Sequence, residues 1–452
     1  MTKPLLIISA FMMLMGSTSH VQAADAPKAK EEAFSCPALR KPESYKKGDF
    51  KNLQYLLVGK DNWFFRSEQD LRTDFDFRRG NDAEIRKLAK YFKTKGIDLV
   101  IALPPMRGVG AHQFVPTTDP LAKRYDAAMA RNNYKKMIKE LNDNGVYAVG
   151  NPDIKMGPHY FFKADQHWTP MGAAEMAQNV ADFIKTIPAY ADIPKMEFKT
   201  TDLKEDNYDG TFYPALQAIC GKVPQNEIVT LTQTAPVAAG GDALLGDAAQ
   251  PDIAIVGTSN SANNANFVGR IKEFLSADIY NAAIIGGGID DSILTYLGSE
   301  TYKNHPPKIL IWEVPSYYDL DGDVVKSMMH QFQPSVFREC AAPLVEVKGV
   351  KLGSKDADLL KGKGKDITST KPYYFGMKLN KAIEKKFTLT FTTDKGEAEK
   401  LEVNLGRGYP DDLGFYYAPK IPSGAHLASV TLNGGAGATA DVSVCEFPEM
   451  AK

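Results

Sequence analysis

Residues 253–261, Ile253-Ala254-Ile255-Val256-Gly257-Thr258-Ser259-Asn260-Ser261, decide how the chain is read. Four unbroken apolar residues suit a strand buried on both faces, as in parallel sheets. Gly257 stops the run, and a Ser/Thr-rich turn leads into a helix headed by Asn266. A serine at the carboxyl end of such a strand stands where open α/β sheets bind ligands. Its N–H, with neighbours at the helix start, can face a developing oxyanion. The plainer role of such a turn is to cap the helix that follows.

Outward from this stretch the same punctuation recurs. Ile97–Leu103, Val146–Val149, Ile279–Ile285 and Lys308–Val314 are further short apolar strands. A helix capped by Asp82 has Ile85, Leu88, Ala89 and Phe92 on one face, and a second carries Tyr134, Met137, Ile138 and Leu141. Thr169-Pro170 opens a third, with Ala173, Met176, Ala177, Val180 and Ile184 inward. A fourth begins at Asp291. Strands alternating with helices predict a parallel sheet with helices on both faces. Residues 230–250 read as a loop by composition. Past Cys340 the texture changes to short alternating runs, Phe387–Thr392, His426–Leu432 and Asp441–Val444, between Gly, Pro and Asp turns. That pattern predicts an antiparallel β-sandwich. The expected division is an α/β domain over 24–335 and a sandwich over 336–452.

The chain has 452 residues, 44% of them apolar and 24% charged, and a net charge of −1. This excludes a disordered chain and a global positive field of the kind nucleic-acid binders use. Residues 1–23 read as a cleaved signal peptide: Lys3, an apolar core from Leu5 to Met15, and Val21-Gln22-Ala23 as the cleavage site. That core of eleven residues, as a helix, covers roughly 16 Å, about half a bilayer core. An exported chain meets an oxidising compartment, so Cys36, Cys220, Cys340 and Cys445 are expected to form two disulfides. Of the three pairings, bridging within each stretch (36 with 220, 340 with 445) staples the two domains separately and is the one expected.

A second segment carries chemistry: Asp165-Gln166-His167-Trp168-Thr169-Pro170. In an extended segment residues two apart point the same way, so Asp165 can fix one ring nitrogen of His167 and leave the other basic. Such a pair activates a serine hydroxyl. The bland alternative is a histidine held in a pre-helix loop. His112 and His159 stand in no metal-binding spacing with His167, so no metal and no cofactor are expected.

Together the two segments resemble the SGNH-hydrolase superfamily and, within it, the alginate O-acetyltransferase group of the AlgX/AlgJ type. The resemblance extends through Asn62–Arg66, Asp70–Phe75, Gly286–Gly288 and Pro306–Glu313. Its order is permuted, with Asp165 and His167 preceding Ser259. It implies Ser259 as nucleophile, His167 as general base and acid, Asp165 as orienting carboxylate, and a carbohydrate-binding sandwich after Cys340. It also fits two intradomain disulfides. Two departures stand out: Gln166 occupies the place of a second histidine, and Ala265 the place of a tyrosine that would touch sugar.

The implied reaction is ping-pong acetyl transfer to a mannuronate hydroxyl, in the periplasm. The oxyanion is expected on the N–H of Ser259 and the turn at Gly287. The same residues with water as acceptor make an esterase, and a third possibility is a non-catalytic alginate-binding scaffold. Expected partners are alginate or polymannuronate, membrane-associated acetylation proteins that deliver the donor, and other export proteins. Arg107 and Tyr318 are candidates for holding sugar. Residues 348–386 hold eleven Lys against Asp356, Asp358, Asp366 and Glu384, a local +7 that includes Lys371. With Tyr373, Tyr374, Arg407 and Tyr409 it forms a candidate track for a polyanion.

Overall fold

The computed structural model describes residues 32–449 except 47, 238–249, 263–264, 354–355, 368, 385 and 405–412. The expected signal peptide, Arg407, Tyr409 and most of the expected loop at 230–250 lie outside the described residues. The chain begins with an antiparallel pair, β1 (Leu56–Val58) and β2 (Phe64–Arg66), followed by α1 (Asn81–Thr94) and β3 (Asp98–Leu103). A single turn, α2 (Arg107–Gly110), precedes α3 (Ala127–Asp143), β4 (Tyr147–Gly150) and α4 (Pro170–Ile184). Next come β5 (Phe198–Tyr208), α5 (Tyr213–Cys220) and β6 (Glu227–Pro236), then β7 (Ile253–Val256), α6 (Phe267–Leu275) and β8 (Tyr280–Asn281). The α/β part closes with α7 (Asp291–Leu297), α8 (Glu300–Asn304), β9 (Ile309–Glu313) and α9 (Asp323–Phe337).

The five-stranded sheet has the order β4-β3-β9-β7-β8, with every pair parallel. Successive side chains on a strand face opposite ways. Leu99, Ile101 and Leu103 of β3 accordingly join a core with α1, α3, α7 and α9, while Val100 and Ala102 join the opposite core with α4 and α6. This is the predicted layering, helices on both faces of a parallel sheet. Two edges differ from the sequence reading. The run 279–285 pairs only at Tyr280 and Asn281 before leaving the sheet. Residues 230–236 are strand, not loop: β6 pairs with β5 in a long antiparallel hairpin beside the sheet. The first helix starts two residues early, with Gly80 rather than Asp82 at its cap and Asp82 in its first turn.

The C-terminal part is a sandwich of two four-stranded antiparallel sheets. One has the order β10-β17-β12-β15 and the other β11-β16-β13-β14. Their ranges are β10 (Val345–Lys351), β11 (Ala357–Asp358), β12 (Tyr373–Leu379), β13 (Lys386–Thr393), β14 (Ala398–Asn404), β15 (Gly414–Tyr417), β16 (Leu427–Asn433) and β17 (Thr439–Glu446). Phe375, Leu389, Val430 and Val442 fill the space between the sheets. Helix α9 carries the chain through 335/336, and the described residues from Phe34 onward pack as one compact unit. Tyr374, Tyr416 and Phe447 of the sandwich enter the core of the α/β part, where Phe447 stacks on Tyr91 with ring centres 5.0 Å apart. The disulfides are Cys36–Cys220 and Cys340–Cys445, the expected pairing.

Candidate active site

Register places the Ser259 turn. Val256 of β7 pairs with Trp312 of β9, so Gly257 stands beside Glu313. Glu313 is fully buried, and its carboxylate organises the turn. It accepts the backbone N–H of Thr258 at 2.7 Å, the Thr258 hydroxyl at 3.0 Å, the Ser261 hydroxyl at 3.2 Å and the Asn260 amide at 3.3 Å. A Cβ on Gly257 would lie 2.6 Å from the Glu313 Oε2, so this position needs glycine for close approach. Burial raises the Glu313 pKa, and the donors around it oppose that shift. Ser259 opens the 3₁₀ turn Ser259–Ser261, and among the described residues its backbone N–H has no acceptor.

The histidine arrives from the β4–α4 connection. A bridge between Phe161 and Trp168 closes the neck of this loop, and Thr169 caps α4 behind it. The segment is a bend rather than the extended stretch expected. Asp165 Oδ1 accepts both the backbone N–H of His167 (2.7 Å) and its ring Nδ1 (2.6 Å). The other ring nitrogen, Nε2, lies 2.7 Å from Ser259 Oγ. Asp165 Oδ2 accepts from the Tyr208 hydroxyl and the Thr211 N–H, each at 2.8 Å. Burial alone would push the Asp165 pKa up. The hydrogen bonds and charge of His167, with the His167 and Thr211 N–H groups, outweigh it and hold the pKa at about 2.

Ser259 and His167 line a cleft of about 400 Å³ walled by Trp168, Tyr208, Leu231 and Ile285. None of the described residues lining it is lysine or arginine, and Ala265 contributes only a methyl to its wall. The hairpin β5–β6 forms one side. Sequence reasoning missed Tyr208 and Glu313. The β-branched alternation Thr230-Leu231-Thr232-Gln233-Thr234 and a lone carboxylate closing an apolar strand were the available signals. Among the described residues no group of His, Cys, Asp and Glu is arranged to hold a metal ion.

Other expected site residues lie elsewhere. Arg107 is 1% exposed and does not line the cleft. Its two terminal guanidinium nitrogens donate to the carbonyls of Phe162, Phe64 and Lys163, and its Nε lies by Asp70, so the group is held inside the protein and not on sugar. Tyr374 is equally buried, packed against Phe447 with its hydroxyl on the Arg338 carbonyl, and cannot stack on a ligand. The Gly287 N–H donates to the Ile284 carbonyl within its own turn and is not available to an oxyanion. Tyr318 is half-buried against Tyr317, outside the cleft lining. Tyr373 accepts the Leu427 N–H with its hydroxyl, and exposed Lys371 pairs with Glu449.

Comparison with known proteins agrees with the fold. The family described as "SGNH hydrolase-like domain, acetyltransferase AlgX" matches residues 56–316. The chain is 36% identical over 324 residues to the alginate biosynthesis protein AlgX of Pseudomonas aeruginosa, covering 71% of this chain and 67% of that one. The solved structure of Pseudomonas aeruginosa AlgX superposes with a TM-score of 0.79 at 29% identity, over 91% of this chain and 99% of the other. The O-acetyltransferase domain of Pseudomonas putida AlgJ gives 0.50 at 25% identity, over 62% and 99%.

Proposed function

The chain belongs to the AlgX family of SGNH hydrolase-like proteins, and on that premise we propose that it is a periplasmic O-acetyltransferase acting on mannuronate hydroxyls of alginate. The observation that carries the reading is the unbroken relay from Ser259 Oγ through His167 to Asp165, opening on a cleft. The relatives named for alginate biosynthesis and O-acetyl transfer support the substrate and the group moved. Two disulfides support an oxidising compartment.

His167 Nε2 takes the Ser259 proton as Oγ attacks the acetyl carbonyl, and Asp165 stabilises the imidazolium that forms. The oxyanion meets the unengaged N–H of Ser259. Collapse expels the donor's alcohol or thiol, which takes the proton from His167 and leaves acetyl-Ser259. His167 then deprotonates a mannuronate hydroxyl, which attacks the acetyl-serine. Collapse returns the proton to Ser259 and releases the ester. Membrane-associated acetylation proteins deliver the donor in this scheme, within the alginate export machinery.

The test is incubation of the protein with an activated acetyl ester and mannuronate oligomers, read by mass spectrometry. Acetylated oligomer is expected from the wild type and not from Ser259→Ala. Acetate release without acetylated sugar, with oligomer in excess, would make it an esterase. Equal product from Ser259→Ala would remove the triad from the reaction.

A further inference from the structure

A second concavity, of about 690 Å³, lies between the β3–α3 connection and the first turns of α3. Lys123, Arg124 and Arg131 line it, with Asp126 as the acidic member. The Asp126 carboxylate caps α3 by accepting the Met129 N–H at 2.9 Å, which leaves three cations against one partly occupied anion.

These arginines differ from the rest of the molecule. Every other described arginine has an acceptor. Arg40, Arg66, Arg72, Arg78, Arg79, Arg86 and Arg270 pair with carboxylates, and Arg107 and Arg338 also donate to carbonyls. Among the described residues Arg124 and Arg131 form no ion pair or hydrogen bond, and neither does the Lys123 ammonium. Arg131 is also not a freely solvated surface group. Its Nε is buried without an acceptor, as is the Tyr125 hydroxyl beside it. Two guanidinium groups left without counter-ions in one groove suit planar oxyanions, which they can meet bidentately.

The catalytic cleft supplies the complementary observation. A polyuronate carries a carboxylate on each sugar, yet no lysine or arginine lines the cleft at Ser259. The counter-charges must lie outside it. The groove grows from the connection leaving the carboxyl end of β3, and the nucleophile turn from the carboxyl end of β7. In the sheet only β9 separates these strands, so both features rise from one rim.

We propose that the groove lined by Lys123, Arg124 and Arg131 binds carboxylates of a polyuronate chain several sugars away from the residue at Ser259. This rests on the acceptor being a polyuronate, as proposed above. The groove contributes nothing to an acceptor too short to span both features and holds a longer one in place. Binding should weaken with ionic strength, because exposed charges are screened over roughly 10 Å at 0.1 M salt.

The experiment measures kcat/KM for long and for short mannuronate oligomers and takes their ratio. In Arg124→Gln/Arg131→Gln the ratio should fall about tenfold through KM, the scale of one or two charge-assisted contacts in a wet groove. Lys135→Gln, on the same helix but paired with Asp153, should leave the ratio unchanged. An unchanged ratio in the double variant overturns the proposal. Should that variant fail to fold, exposed Lys123→Glu takes its place, with the same expected fall and the same overturning result. If the wild type transfers no acetyl group, the functional reading fails on its own, and the groove is judged by direct binding of polygalacturonate, a polyuronate that need not be a substrate. Binding that weakens in the double variant then supports the groove. Absent or unchanged binding overturns it.

Discussion

The two halves of the proposed catalytic relay are held by different kinds of structure. Ser259 hangs from an inner strand of the sheet, where Glu313 on the neighbouring central strand takes up four donors of its turn. Asp165 and His167 hang from a loop, and their outer support is Tyr208 and Thr211 at the end of a largely exposed hairpin. Both carboxylates are fully buried, yet their pKa values move in opposite directions. Asp165 has a cationic partner available in the reaction and is held ionised. Glu313 has only neutral donors, and burial prevails. One carboxylate serves charge and the other serves shape.

The difference can be tested by removing each support in turn. The largest effect is expected for Ser259→Ala, with a loss of acetyl transfer of about 10⁴-fold or more, as when a triad nucleophile is deleted. Asp165→Asn should lower kcat by about 10³- to 10⁴-fold, because the wrong tautomer of His167 is then favoured. It should also flatten the acid limb of stability. The Asp165 pKa is depressed on folding from 3.8 to about 2. The wild type therefore holds an extra contribution of about 2 kcal/mol above the unfolded pKa and loses it as pH falls towards the folded one. Melting temperatures between pH 5 and pH 2 should drop less steeply in the variant; equal slopes would contradict the assigned shift.

Glu313→Gln should reduce kcat by roughly ten- to a hundredfold with little change in KM, since a carboxamide keeps the volume but turns a donor towards other donors. Glu313→Ala should in addition destabilise the fold by about 2–4 kcal/mol, leaving a cavity and orphaned donors. A kcat loss from the glutamine variant no larger than that of a remote surface change would demote the carboxylate to ordinary packing. The smallest effect is expected for Tyr208→Phe, about three- to tenfold in kcat, because Thr211 still donates to Asp165 Oδ2. Its signature is a pH profile: losing one donor raises the Asp165 pKa, so the acid limb of stability moves to higher pH. If Tyr208→Phe costs more than Glu313→Gln, the exposed hairpin rather than the sheet is the principal support.

The same division explains what could be read in advance. Runs such as Leu99–Leu103 and Ile253–Val256 are buried on both faces, so their unbroken apolarity survives in the sequence. The spacing of Asp165 and His167 was legible too, although a bend rather than an extended segment brings them together. The hairpin escaped because most of β5 faces solvent, and neither face imposes an apolar alternation. Arg107 and Tyr374 looked like ligand contacts because residue type does not reveal burial; both are bonded inside. The Lys-rich window 348–386 is partly offset by its surroundings. Lys348, Lys371 and Lys378 pair with Glu346, Glu449 and Glu339, three acids that lie outside that window.

The aromatic seam between the two parts of the chain bears on how the protein can be dissected. Tyr91 and Phe337 from the helices meet Tyr374 and Phe447 from the sandwich, and His330 donates to the Ala418 carbonyl across the same boundary. A fragment ending near residue 335 would bare the rings on its side to water, and an isolated sandwich would bare the matching ones. Neither half is therefore expected to behave as a well-mannered module, and each would be prone to self-association through that face. Any ligand that touched both parts would meet them at a fixed offset, so the sandwich is a ruler clamped to the α/β part rather than a tethered hand.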